Sequence, residues 1–221
     1  MKRFIYIISF FLCFSCFAQL PEGFVYAETV IPDLHVELRY FSDYNFVGNK
    51  IEGYRANRLI LTTQATNALK KVQAELLRTN KCLLIYDGYR PQRAVNHFMR
   101  WARDVNDTIN KGIFYPNINK RYLFKEGYIA SRSGHSRGST LDLTIVDGST
   151  NKPLDMGSPY DFFGPVSWVE SPDISEEQKR NRQLLQEVMK KYGFRPYAQE
   201  WWHFTLRGEP FPDTYFDFPI E

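Results

Sequence analysis

Cysteine and histidine are both scarce in this chain of 221 residues, which contains three cysteines and four histidines. Cys13 and Cys16 lie in an apolar N-terminal segment, so only Cys82 remains beyond it. One remaining cysteine excludes an internal disulfide from that part of the chain. The apolar neighbours of Cys82 favour a buried structural thiol over a nucleophile. Because histidines are so few, a metal site with two imidazole ligands can be built in few ways.

A large charge of either sign is also lacking. The formal net charge is +3, of which Lys2 and Arg3 supply two units, and we therefore expect no nucleic-acid partner. The sequence has no Ser/Gly-rich linker, internal repeat or low-complexity stretch. We expect a single domain over residues 20–221, a length that one hydrophobic core can accommodate.

Long apolar runs are missing except at the N-terminus, where Lys2 and Arg3 precede an apolar stretch over residues 4–17. Basic residues followed by a short apolar segment and small side chains are typical of a secretory signal peptide. The stretch is too short to cross about 30 Å of hydrocarbon comfortably. We predict a signal peptide at residues 1–19 and an exported, periplasmic protein with no membrane span in the mature chain. Lipid attachment at Cys16 is the alternative, although the residues before it fit such processing poorly.

Hydrophobic periodicity predicts a mixed fold. Apolar side chains at helical spacing predict helices over about 62–79, 91–107 and 175–193. Buried or alternating apolar residues predict strands over 82–86, 141–146 and 201–206, the second of them half-buried with Asp142 on its polar face. Because the helices and strands mix without a strict βαβ rhythm, we expect an α+β fold with a central, mainly antiparallel sheet flanked by helices.

Two histidines stand beside carboxylates. His135 lies in a polar, glycine-flanked turn before the strand that carries Asp142. His203 follows Glu200 by three residues among bulky aromatics. A catalytic zinc site needs three nitrogen or oxygen ligands and one open position. His135, Asp142 and His203 can supply the ligands, and Glu200 can act as general base for a water that the metal activates.

Each of these pairs also has a simpler interpretation. The spacing of His135 and Asp142 occurs by chance in many chains, because aspartate is common. Glu200 and His203 can equally form a surface pair on an edge strand. The remaining histidines, His35 and His97, have no partner at a suitable spacing, and we predict structural roles for them.

Arg90 lies between a predicted buried strand and a predicted helix, in the segment Asp87-Gly88-Tyr89-Arg90-Pro91. A guanidinium fixed at such a junction can stabilise an oxyanion. Taken alone, an arginine is more often solvated or salt-bridged at a surface.

Together these segments resemble the zinc D-alanyl-D-alanine dipeptidases, a family that includes vancomycin-resistance enzymes. They belong to the larger group of D,D-peptidases that share a fold with the hedgehog signalling domain. The similarity covers nearly all of the chain after the predicted signal peptide. It rests on Ser133-x-His135-x6-Asp142-Leu143-Thr144, on Glu200-Trp201-Trp202-His203, on Tyr89-Arg90-Pro91-Gln92-Arg93-Ala94, and on an upstream stretch from Leu38-Arg39-Tyr40 to Gly53-Tyr54.

The resemblance implies a role for each matching residue. It implies one zinc ion per chain, held by His135, Asp142 and His203. It implies base and acid catalysis by Glu200 and transition-state stabilisation by Arg90. Substrate-binding positions implied in the same way are Asp161, near the substrate amine, and Ser133. One departure is Thr140, where the family usually has alanine; we expect its hydroxyl to alter local packing without removing a ligand.

The implied activity is hydrolysis of D-alanyl-D-alanine to two D-alanines by a zinc-activated water, in cell-wall peptide turnover or glycopeptide resistance. Two alternatives stay open. A D,D-carboxypeptidase or endopeptidase would use the same metal ligands on longer wall peptides. The second alternative is a non-catalytic, zinc-stabilised binding module. The presence of Glu200 and Arg90 counts against this alternative.

Overall fold

The computed structural model describes residues 20–221. The predicted signal peptide at 1–19 and the alternative lipid attachment at Cys16 therefore lie outside the described residues. Within residues 20–221, none of the helices combines the length and apolar character needed to cross a bilayer.

Most of the strands of the described residues form one sheet. Its path runs β2-β4-β5-β8-β7, with the short β6 paired to β5, while β1 and β3 form a separate two-stranded antiparallel sheet. Every neighbouring pair is antiparallel except β2–β4. The predicted α+β class with a mainly antiparallel sheet is confirmed. The strands are β1 (Phe24–Tyr26), β2 (His35–Val36), β3 (Ile60–Thr62), β4 (Lys81–Asp87), β5 (Thr140–Asp147), β6 (Lys152–Pro153), β7 (Phe194–Tyr197) and β8 (Glu200–Leu206).

Three long helices lie where the periodicity predicts them. They are α1 (Thr63–Leu77), α2 (Gln92–Arg103) and α4 (Glu176–Lys191), with the short α3 (Lys111–Phe114) between the last two. Helix α1 begins at Thr62, whose hydroxyl accepts the Ala65 N–H, and α4 begins with a complete capping box between Ser175 and Gln178. These caps satisfy amide groups that have no partner inside the helix.

The predicted end of the second helix, at about residue 107, is wrong. Helix α2 ends at Arg103, and the backbone at Asp104 is already extended. The Asp104 carboxylate accepts the N–H of Asn106, a local bond that competes with the helix. Val105, which falls inside the predicted helix, is 40% exposed.

The prediction that β5 is half-buried is also wrong. Asp142 and Thr144, on its polar face, are 2% and 1% exposed. Alternating residues of a strand point to opposite faces, and Leu141, Leu143 and Ile145 join the apolar cluster that includes α1 and α4. The other face is covered as well, since Tyr160 donates a hydrogen bond to Asp142. Asp142 is therefore a buried carboxylate at the centre of the sheet.

A buried arginine of α4 anchors the segment that covers this face. Arg182 is 1% exposed, and its guanidinium donates to the carbonyls of Met156, Val166 and Trp168. The segment between these carbonyls carries Tyr160 and Asp161.

We expect Arg182→Met to lower the free energy of unfolding by about 3 kcal/mol, because several buried carbonyls lose their donor. Urea denaturation measures the change. The matched control is Arg180→Met on the same helix, where the side chain is exposed and a change within about 0.5 kcal/mol is expected. Equal losses in both variants would contradict the anchoring role.

Candidate active site

The site forms where two central strands pair. Asp142 of β5 lies directly opposite His203 of β8 in the antiparallel register, and side chains of directly opposed residues share one face of the sheet. His135 comes from the short 3-10 turn Gly134–Arg137, just before β5. The turn ends at Gly138, whose φ of +79° is a backbone conformation that favours glycine. Residues from two distant segments of the chain, His135 with Asp142 and His203, thus meet at one end of the sheet.

The three side chains bring one ligand atom each to a common point. Asp142 Oδ1 lies 3.0 Å from His203 Nδ1 and 3.3 Å from His135 Nε2. The two imidazole nitrogens are themselves 3.3 Å apart. Ligands at 2.0–2.1 Å from a tetrahedral zinc ion lie about 3.3 Å from one another. The donor set and its spacing therefore fit a divalent metal with three protein ligands.

A contact at Nδ1, the ring nitrogen that faces away from the other two ligands, fixes the orientation of His135. Its Nδ1 lies 2.8 Å from the carbonyl oxygen of Gly88, a contact that needs the proton on Nδ1. The lone pair is then on Nε2, the nitrogen that faces Asp142 and His203. Burial lowers the pKa of His135 below its ordinary value, which favours the neutral ligand form.

The two oxygens of Asp142 have separate partners. Oδ1 faces the imidazoles, while Oδ2 accepts a 3.0 Å hydrogen bond from the Tyr160 hydroxyl and lies 3.4 Å from the Arg90 guanidinium. Burial alone would raise the pKa of Asp142, but the adjacent His135 and His203 imidazoles hold it well below its ordinary value. The carboxylate is therefore ionised and available as a ligand.

Arg90 is held rigidly beside the ligands. Its side chain is 12% exposed and pairs with Asp87 Oδ2, at 2.8 Å from Nη2 and 2.9 Å from Nε. The other oxygen of Asp87 accepts a 2.6 Å hydrogen bond from Tyr54. Of the two alternatives for Arg90, the solvated side chain is wrong and the salt-bridged one agrees with the structure, since Arg90 is a buried, ion-paired group just after β4.

Glu200 is the first residue of β8, where the pairing with β7 is irregular next to Tyr197. Its carboxylate lies 3.4 Å from His203 Nδ1, and its side chain is 35% exposed. Burial raises the pKa of Glu200, and the nearby charge of Asp142 adds to the rise. The alternative of an edge-strand pair is wrong, because β8 lies between β5 and β7.

Asp161 and Ser133 also line the same cavity, which has a volume of about 290 Å³. Asp161 is 7% exposed, and its carboxylate accepts a 2.7 Å hydrogen bond from Tyr40. Burial and the charge of Asp142 raise the pKa of Asp161 well above its ordinary value. The Ser133 hydroxyl accepts the N–H of His135 and lies 3.5 Å from Arg90. All seven residues predicted from the sequence therefore lie in or around one cavity.

Sequence reasoning missed the residues that support these groups. Asp87, Tyr40 and Tyr160 hold Arg90, Asp161 and Asp142 in place, as the contacts above describe. Tyr40 falls in a segment that carries the family resemblance, and this was the available signal for it. Asp87 lies outside those segments, and its signal was its position three residues before Arg90. Tyr160 had no signal beyond its position next to Asp161.

His97, His35 and Thr140 lie outside the group of candidate metal ligands. Among the described residues, the one group of ligand-type side chains close enough to hold a metal is the trio above. His97 lies apart from it and accepts the N–H of Glu52, while His35 lies on β2 beside Leu84 of β4. The hydroxyl of Thr140 pairs with that of Thr205 on β8, at 2.9 Å, so the departure at this position leaves no buried hydroxyl unsatisfied.

Comparisons with known proteins agree with this geometry. A family model described as D-ala-D-ala dipeptidase, of the peptidase M15 group, matches residues 21–221. A D-alanyl-D-alanine dipeptidase of Streptomyces coelicolor is 41% identical over 91% of this chain and 100% of its own length. One of Enterococcus faecium is 38% identical over 90% of this chain and 98% of its own, and one of Enterococcus faecalis is 38% identical over 91% and 100%. The chain belongs to the D-Ala-D-Ala dipeptidase family of metallopeptidases.

Proposed function

We propose that this protein hydrolyses the dipeptide D-alanyl-D-alanine to two D-alanines, with one zinc ion held by His135, Asp142 and His203. The observation that carries the proposal is the convergence of the three ligand atoms within 3.0–3.3 Å, with Glu200 beside them in the same cavity. The dipeptide itself is taken from the names of the relatives, which are D-alanyl-D-alanine dipeptidases.

Zinc fits the ligand set better than magnesium or calcium, since two imidazoles and one carboxylate form a nitrogen-rich set with tetrahedral spacing. When bound, the ion lowers the pKa of a water molecule toward 7 and polarises the substrate carbonyl.

Glu200 moves the protons. Its carboxylate takes a proton from the attacking water as the water oxygen bonds to the peptide carbonyl carbon. The same proton then passes to the amide nitrogen and the C–N bond breaks. The second proton of the water moves to the departing amine, so the products are an ammonium and a carboxylate. A raised pKa suits this role, because a group that must accept and then release a proton works best when its pKa is near the working pH.

Arg90 stabilises the negative charge that develops on the former carbonyl oxygen. Asp87 and Asp142 hold its guanidinium before the substrate arrives, so little reorganisation is needed during the reaction. Such a donor is worth roughly 3–4 kcal/mol of transition-state stabilisation.

The cavity favours a small substrate. Its volume of about 290 Å³ lies just below the range of ligand pockets, which span about 300–1,000 Å³. Asp161 binds the substrate ammonium, whose adjacent positive charge favours the ionised carboxylate and so opposes the effect of burial. The Ser133 hydroxyl is a further polar contact for the dipeptide. A D,D-carboxypeptidase acting on long wall peptides is the rival, and the cavity size and the relatives' names favour the dipeptidase. Cell-wall peptide turnover or glycopeptide resistance is the corresponding physiological role.

We also propose that the protein is exported after removal of residues 1–19. The basic and apolar pattern of that segment supports export, and the family match begins at residue 21. Intact-mass measurement of the protein purified from its own cell envelope should show a chain that begins near residue 20. A full-length chain in the cytosolic fraction would refute export.

The proposed function is tested by incubating the purified protein with D-Ala-D-Ala and with a wall pentapeptide that ends in D-Ala-D-Ala. We expect efficient release of D-alanine from the dipeptide, loss of this activity with a chelator, and recovery on adding one equivalent of zinc. Efficient cleavage of the pentapeptide alone would overturn the assignment.

Histidine variants provide the matched control for the metal. His203→Ala should lose both the stoichiometric zinc and the activity, because one of three ligands is gone. His97→Ala removes a histidine that lies outside the trio and should retain both. Equal zinc content in the two variants would place the metal elsewhere.

Glu200→Gln tests the proton transfer separately from metal binding. The amide keeps the size of the side chain but cannot accept the proton, so kcat for D-Ala-D-Ala should fall by about 10²–10⁴-fold. Elemental analysis should still find one zinc per chain. An unchanged kcat with zinc bound would rule out Glu200 as the base.

A further inference from the structure

A free dipeptide carries a charge at each end, and both charges lose water when the dipeptide enters a cavity. Each end therefore needs a partner of opposite charge or strong hydrogen bonds. The cavity presents carboxylates from Asp142, Asp161 and Glu200, and its two arginines are Arg90 and Arg132. The proposed function assigns a partner to the ammonium, and the terminal carboxylate still requires a cation.

Arg90 is a poor candidate for that cation. Its guanidinium already pairs with Asp87 at 2.8 Å and lies 3.4 Å from Asp142. These two carboxylates therefore compete with a substrate carboxylate for the N–H donors of Arg90. Its role at the scissile carbonyl also places it away from the substrate terminus, since the scissile carbonyl and the terminal carboxylate are separate groups of the dipeptide.

Arg132 has its charge available. It is exposed, and it forms no salt bridge with any residue in the 20–221 range. Its guanidinium carbon lies 4.9 Å from the centre of the Tyr215 ring. A cation–π contact of this kind consumes none of the five N–H donors of the guanidinium. The side chain is thus supported by an aromatic ring while its donors remain open to a ligand.

The backbone on both sides of Arg132 is fixed. The carbonyl of Ser131 accepts a 2.9 Å hydrogen bond from the Gln92 side chain at the start of α2. Ser133 caps the turn that carries His135. Arg132 therefore lies on a segment that is tied to the metal-binding turn, and planar guanidinium groups match carboxylates with two parallel hydrogen bonds.

We propose that Arg132 binds the terminal carboxylate of the substrate and so makes the enzyme selective for a free C-terminus next to the scissile bond. This inference rests on the proposed dipeptidase function. It identifies a specificity residue that acts on the non-reacting end of the substrate, apart from the metal and the proton transfer.

The test compares D-Ala-D-Ala with its C-terminal amide, which keeps the scissile bond but removes the negative charge. The wild-type protein should cleave the free acid at least tenfold more efficiently than the amide. Arg132→Ala should lower kcat/KM for the free acid by about 10- to 100-fold, mainly through KM, and should change kcat/KM for the amide less than threefold. Arg132→Lys should lie between the two, because lysine keeps the charge without the paired donors.

Arg207→Ala is the matched control, since Arg207 is an exposed arginine at the end of β8 that does not line the cavity. It should behave as wild type on both substrates. Equal wild-type rates on acid and amide, or an equal loss on both in Arg132→Ala, would overturn the role of Arg132 and leave the dipeptidase function intact. Failure of the wild-type protein to cleave either substrate would overturn both proposals.

Discussion

The register between β5 and β8 is the constraint on which the site depends. It sets Asp142 directly opposite His203, and the turn before β5 adds His135 from the same end. A shift by one residue would move Asp142 to the opposite face of the sheet, into the apolar cluster of α1 and α4. The register is fixed because Leu141, Leu143 and Ile145 are fully buried on that opposite face, so the hydrophobic core holds the metal ligands in place.

A buried carboxylate and two imidazole nitrogens form an unfavourable arrangement unless positive charge lies among them. The three ligand atoms lie 3.0–3.3 Å apart, and their lone pairs would repel one another without a proton or a cation between them. Arg90 and Tyr160 compensate only the outer oxygen of Asp142. The fold therefore concentrates a need for positive charge at one point, which a bound divalent ion would satisfy. Stability and catalysis would then depend on the same atoms, because the ion that relieves the repulsion would also activate water.

Much of the fold and of the candidate site could be predicted from the sequence, since the signals lie in short local segments. Helical periodicity identified α1 and α4, and the residues of the site stood in short, unusual segments around His135, Asp142 and His203. The burial of Asp142 could not be predicted, because it depends on the later segment that carries Tyr160 and covers β5. The role of Asp87 also depends on a distant part of the sequence. Its carboxylate pairs with the nearby Arg90, and it lies 3.4 Å from His135, which is far away in the sequence. The end of α2 was missed because the side-chain bond of Asp104 overrides apolar periodicity.

Asp161 shows how a distant part of the fold supports the site. Its φ is +59°, a left-handed conformation that costs a non-glycine residue of order 1 kcal/mol or more and persists only where the surroundings enforce it. Two contacts enforce it here. The Tyr40 hydroxyl binds its carboxylate, and the guanidinium of Arg182 fixes the chain on both sides through the carbonyls of Met156 and Val166. The buried guanidinium of Arg182 thus helps to hold the Asp161 carboxylate at the cavity, so the position of that carboxylate is set by packing on the far side of the segment.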